Sequence, residues 1–194
     1  MPDFDHSVLG TREQISLGLD TFGDAPLDGA PANHAETLRQ TVAEAVLADR
    51  VGVDYIGLGE HHRAAYAVSA PDVVLAAIAG QTERIRLGTG VTVLSSDDPI
   101  RVYQRFATLD AVSNGRAEVQ LGRGSFIESF GLFGLYLGDY DRLFEEKLDL
   151  FAALQHERPV SWEGSIRTPL VDQPVYPTTA GLSSRAVTRS VVSP

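Results

Sequence analysis

The chain has 194 residues, 43% of them hydrophobic, and a formal net charge of −10 from 16 Lys and Arg against 26 Asp and Glu. That length and apolar content can bury one core, while the scattered cations and acidic balance argue against a nucleic-acid partner. With no Cys, disulfides, thiolate metal ligands and cysteine nucleophiles are excluded.

Met1 to Gln14 is polar and acidic and lacks the basic and apolar regions of a secretory signal. The longest apolar run, Val73 to Ala79, falls far short of the ~20 residues that span a bilayer, so a cytoplasmic protein with no membrane partner is expected. Ile15 to Phe22 reads as a first strand ending near Asp20. Asn33, with Glu36 three positions later, has the form of a capping box; it opens a helix with Leu38, Val42, Ala45 and Val46 on one stripe and Gly52 at its end. A second strand, Tyr55 to Leu58, runs through Gly59 into Glu60-His61-His62. Pro71 opens a second helix to Gly80. The third strand, Ile85 to Leu94, leads to Ser95-Ser96-Asp97-Asp98, and Asp98-Pro99 opens a third helix that stops at Asn114-Gly115. The fourth strand, Ala117 to Gly122, ends in Arg123-Gly124-Ser125.

Beyond this point the pattern loosens. Phe126 to Tyr140 reads as a long loop with a short helix, carrying Phe126, Phe130, Phe133 and Tyr136. A fourth helix starts at Asp139 or Asp141 and buries Leu143, Phe144, Leu148, Phe151 and Leu154, with Arg142 and Glu146 paired outside. Glu157 to Thr179 is an irregular, Pro-rich insertion of hairpin character, so the domain is expected to run from 1 to 179. Ala180 to Pro194 has no acid and no aromatic residue and reads as an unrelated, disordered tail, as an altered reading frame after about Thr179 would produce.

Alternating strands and helices of this length predict an α/β fold with a parallel sheet, whose strand ends gather the four polar clusters at one rim. Strand parity puts Ile56, Leu58, Leu87, Thr89, Val91, Val93, Val119 and Leu121 on a helix-facing side. Gly57, Gly59, His61, Arg86, Gly88, Gly90, Thr92, Glu118, Gln120 and Gly122 fall on a small or polar side with room for a ligand. His61 thus points inward; it can hydrogen-bond a ligand or move a proton near neutral pH, or simply cap a rim carbonyl. Arg123, between Gly122 and Gly124 and followed by Ser125, suits a phosphate, the guanidinium giving paired donors and Ser125 a helix cap. The alternative for Arg123 is a rim salt bridge. Glu60, His61 and His62 diverge and make a poor metal site. Asp98 is a helix cap, and Glu118 and Gln120 need partners such as each other or Arg86.

Gly59-Glu60-His61-His62, Leu87 to Leu94 with Pro99 soon after, Leu109 to Arg116, and Leu121-Gly122-Arg123-Gly124-Ser125 together resemble the bacterial luciferase-like flavin-dependent monooxygenases. The resemblance runs from about Ile15 to Thr179. It implies a (β/α)8 TIM-barrel fold of which only about the first four units are present, a half barrel. It also implies that His61 is the active-site histidine beside the flavin, that Gly90-Val91 forms a non-proline cis peptide under the ring, and that Gly122, Arg123, Gly124 and Ser125 hold the phosphate of FMN. The implied chemistry is oxygenation of a small organic substrate by reduced FMN and molecular oxygen, with a separate flavin reductase as partner. The alternatives are an F420 (deazaflavin) dependent oxidoreductase and a non-catalytic flavin-binding or interaction protein. A half barrel exposes strand edges and apolar surface, which predicts a homodimer or self-association and poor stability as a monomer.

Overall fold

Capping chemistry decides where the helices begin. The computed structural model describes residues 15–25, 33–156, 159–179 and 182–186; the expectations for residues 1–14 and 187–194 lie outside them. Helix α1, His34–Val51, starts where Asn33 accepts the Glu36 amide at 3.1 Å and ends at Gly52, whose φ of 89° suits only glycine without strain. The Glu36 carboxylate is engaged by Arg39 and Gln40. Helix α2, Pro71–Ala79, has proline in its first turn, and α3, Pro99–Val112, is capped by Asp98, which accepts the amides of Ile100 and Arg101 at 2.8 and 3.1 Å. A short α4, Glu128–Leu132, precedes α5, Tyr140–His156.

Strand β1, Gly18–Thr21, pairs in parallel with β2, Tyr55–Leu58, which pairs in parallel with β3, Arg86–Thr89. After the Gly90-Val91 peptide, β4, Thr92–Val93, pairs with β5, Glu118–Gly122, and a parallel bridge from Leu87 to Ala117 ties β3 to the same strand. Strands β6, Val160–Trp162, and β7, Leu170–Gln173, form an antiparallel pair within the insertion. Parallel neighbours joined through α1, α2 and α3 are the expected α/β organisation. Among the described residues no helix is long and apolar enough to cross a membrane.

The helix-facing side of the sheet is filled as parity predicts except at Val91, which lies over Gly122 on the other side. Ile56, Leu58, Leu87, Val119 and Leu121 are buried in one cluster with Leu75 and Ile78 of α2, Val102 and Phe106 of α3, and Phe144, Leu150, Phe151 and Leu154 of α5. Each such side chain contributes about 1.5–3 kcal/mol by leaving water. Two polar anchors fix the ends of these elements. Asp49, near the end of α1, accepts the amides of Arg84 at 3.0 Å and Ile85 at 2.7 Å just before β3. Arg116 donates to the carbonyls of Ala79, Thr82 and Ile85, joining the end of α2 to the β3 and β5 approaches.

Four expectations need correction. Residues 183–186, assigned to an unrelated tail, form strand β8, Ser183–Ala186, parallel to β5; Gln155 of α5 donates to the Leu182 carbonyl at 3.1 Å and accepts from Ser184. Composition misled there because a strand four residues long has too little sequence to carry a periodicity. On α5 Leu143, Phe144, Phe151 and Leu154 are buried as expected, but Lys147 and Leu150 join them in place of Leu148, which is only partly buried; Lys147 reaches the Ser95 carbonyl at 2.7 Å. Arg142 and Glu146 do not meet as a pair; both turn to Ser165. Ser125 does not cap α4, whose preceding residue is Ile127.

Candidate functional site

The strand end after β2 is built by its pairing with the segment after β1. Ala67 donates to Gly23 and Ala25 to Ala65, both at 2.8 Å, while the His61 amide donates to Val68 at 2.9 Å. These bonds bring Phe22 and Tyr66 against the His61 ring, each 4.6 Å away between centroids and 5.7 Å from each other, and Phe126 lies 5.1 Å from it. The Arg63 guanidinium lies 3.6 Å above the Phe126 ring and pairs with Glu128. Burial, with the nearby Arg63 and His62 charges second, pushes the His61 imidazole below its ordinary value, so the ring is neutral at neutral pH. A neutral, half-buried imidazole among aromatic rings can accept or donate one hydrogen bond in a water-poor cleft. Sequence parity identified His61 but missed Phe22, Tyr66 and Arg63, which come from irregular segments.

His62 diverges from His61, as expected of neighbours on an extended segment. Its Nε2 lies 3.0 Å from Glu60 Oε1, and its ring meets Phe133 edge-on at 5.2 Å. Glu60 Oε2 accepts the Val93 amide at 2.9 Å, and the Glu60 amide donates to the Val91 carbonyl at 3.1 Å. The peptide bond between Gly90 and Val91 is cis, as the resemblance implied. This break in the third strand also alters the parity: Thr92, expected opposite Thr89, has its hydroxyl 3.3 Å from the Thr89 hydroxyl.

The open face of the sheet is lined by glycines over which side chains of neighbouring strands lie. A methyl group on Gly88 would sit 2.3 Å from the Tyr55 hydroxyl, and one on Gly90 would sit 2.9 Å from Asp20 Oδ1. Gln120 donates to the Tyr55 hydroxyl at 3.3 Å, and Arg86 pairs with Glu118 at 3.3 Å, so both polar strand residues find the partners they need. Burial first, then the Asp20 and Glu118 charges, push the Tyr55 phenol up to about 12.

The predicted residues fall into three groups. His61, Gly124 and Ser125 line one narrow cleft with Glu60, Phe126 and Ser129. Its open volume of about 10 Å³ is near the lower limit for one water, so a larger ligand requires Phe126 and Arg63 to move. Gly90, Val91 and Gly122 lie together beside it, Val91 covering Gly122 so closely that a methyl there would be 2.5 Å from Val91 Cγ2. Arg123 turns away from the cleft toward α5, where it pairs with Asp141 and, at 3.8 Å, Glu145, over the Phe144 ring. Its Nε is buried without a hydrogen-bond partner. Asp20 lies over the Gly90 backbone, and Arg123 reaches an anion at Gly124-Ser125 only by leaving Asp141. Among the described residues no group of His, Asp and Glu could hold a metal ion.

A parallel α/β sheet whose strand ends bring together a neutral histidine, a cis Gly-Val linkage and an arginine-glycine turn defines a class of ligand-binding rim. The model of the family described as luciferase-like monooxygenase matches residues 19–190, and the chain belongs to this family. It is similar to the 4-hydroxyprotoasukamycin monooxygenase of Streptomyces nodosus subsp. asukaensis, 36% identical over 55% of this chain and 29% of the relative. It is also similar to the oxygenase component of the flavin-dependent trigonelline monooxygenase of Acinetobacter baylyi, 36% identical over 41% of this chain and 22% of the relative. Among solved structures, the monooxygenase RslO1 of Streptomyces bottropensis superimposes with a TM-score of 0.77 at 25% identity, covering 89% of this chain and 52% of that one. The chain therefore spans about a third of the length of the curated relatives it matches and about half of that solved chain.

Proposed function

We propose that the chain forms the first half of a (β/α)8 barrel that binds reduced FMN and acts as a flavin-dependent monooxygenase on a small organic substrate. The observation that carries this reading is the convergence of His61, Gly124 and Ser125 on one cleft beside the cis Gly90-Val91 peptide. The trigonelline relative, flavin-dependent and an oxygenase component by name, supports both the cofactor and a separate reductase as partner. When bound, reduced flavin supplies the electrons that activate molecular oxygen for transfer to the substrate.

The chain's own residues would do the rest. The Gly90-Val91 backbone would accept the flat ring system with the Asp20 carboxylate, which lies over Gly90, moving aside. Phe22, Tyr66 and Phe126 keep water from the reacting face, and the neutral His61 orients the substrate or shares a proton with it at a ring nitrogen. Arg123 and the amides at Gly124 and Ser125 hold the phosphate, Arg123 exchanging Asp141 for it. Self-association follows from Ile15, Leu17 and Leu19, which are exposed along β1 and its approach, at an edge of the sheet.

Oxygen uptake with photoreduced FMN tests the reading. Uptake that exceeds free reduced FMN in the presence of substrate, and is lost in His61→Ala, is expected. Reduction of F420 without oxygen uptake would replace it by the deazaflavin alternative. No response to either cofactor, with flavin bound, would leave a non-catalytic flavin-binding protein.

A further inference from the structure

Glu60 is the most fully engaged carboxylate near the cleft, and nothing in the proposed chemistry uses it. Its side chain is 8% exposed, yet both oxygens are occupied: Oε1 lies 3.0 Å from His62 Nε2, and Oε2 accepts the Val93 amide at 2.9 Å. Its backbone amide donates to Val91 at 3.1 Å. One residue thus bonds to both sides of Thr92, immediately after the Gly90-Val91 peptide. The next residue in the chain is His61, whose own amide is held by Val68. Among the described residues, Glu60 joins the strand end after β2 to Val93 by a side-chain hydrogen bond.

We propose that Glu60 is a positioning residue that sets the 91–93 segment at a fixed distance from the strand end presenting His61. This rests on the reading that a flavin ring lies on Gly90-Val91. The chemistry requires a carboxylate of this length. A carboxylate accepts from Val93 and from a His62 ring N–H at once, whereas an amide has only one acceptor oxygen. Aspartate keeps the charge but is one methylene shorter, so it cannot reach both partners from the same backbone. His62, on this view, is the far support of the clamp and not a second active-site histidine; its ring is braced in turn by Phe133.

Hydrogen exchange on the flavin-free chain tests the clamp itself. Val93 amide exchange should be at least tenfold faster in Glu60→Ala and in Glu60→Asp, and within about threefold of the parent in Glu60→Gln, which retains an oxygen for Val93. Exchange of Val93 that is unchanged in both Glu60→Ala and Glu60→Asp overturns the proposal whether or not flavin binds. Titration with FMN and with riboflavin then tests its consequence. Because Glu60 acts at the ring end, Glu60→Asp should weaken both ligands by the same factor, at least fivefold, without altering the phosphate-dependent difference between them. Loss confined to FMN would overturn the positioning role. A parent chain that binds neither ligand refutes the flavin reading and leaves the exchange result to decide the clamp.

Discussion

The two faces of the sheet obey different rules. On the helix side Leu58, Leu87 and Val119 have no exposure at all and belong to the apolar core. On the open side Gly57, Gly88 and Gly90 carry no side chain, and Asp20 and Tyr55 lie across them. The first face uses volume to hold the fold; the second gives up volume so that side chains of neighbouring strands can lie close over the backbone. Stability and ligand binding are therefore separable by face, and mutations can break or sharpen that separation.

The largest effect is expected on the helix face. Phe106→Ala removes a ring that is 1% exposed between α3 and the sheet and should destabilise the chain by about 3–5 kcal/mol in urea unfolding. A loss below about 1 kcal/mol would mean that this face is not the core.

Next comes the polar anchor behind it. Burial would by itself raise the Asp49 carboxyl, but the amides of Ile85, Arg84 and Glu83 outweigh it and hold the group below its ordinary value. A depressed carboxyl in the fold gives stability that is present above the unfolded value near 3.9 and is lost as pH falls through the folded value. Asp49→Asn should thus cost about 1–3 kcal/mol at pH 7, and the difference from the parent should shrink below about pH 4. A difference independent of pH would assign Asp49 a packing role only.

The open face should respond less. Tyr55→Phe removes a hydroxyl bonded by Gln120 while keeping the ring over Gly88, and about 0.5–1 kcal/mol is expected from thermal unfolding. A loss as large as that of Phe106→Ala would erase the contrast between the faces. Smaller still is the contribution of His61. Its lowered value means that the unfolded chain takes up a proton first, so stability should decline slightly as pH falls below about 6.5. An NMR titration of His61 giving a midpoint above 6.5 would contradict the burial-based sign.

Much of the helix face was readable in the sequence because period and caps are local. Asn33, Asp98, Pro71 and Gly52 each announce a boundary from their own chemistry, and parity assigned Ile56, Leu87 and Leu121 correctly. Partners distant in the chain were not readable. Nothing near Arg123 signals that Asp141 of α5 would meet it, and nothing near Glu60 signals Val93. Gln120 and Glu118 were recognised as needing partners, but Tyr55 was not named among them. The Gly90-Val91 linkage came through resemblance to a family, because a cis peptide leaves no periodicity in the residues around it.

The most direct test of the flavin site is a fluorescence titration of the intact chain with FMN and riboflavin, beside Arg123→Ala. Saturable FMN binding at micromolar concentration, weakened about tenfold by Arg123→Ala while riboflavin binding is unchanged, is the expected result; equal FMN binding by the parent and the variant, or none by the parent, would contradict it.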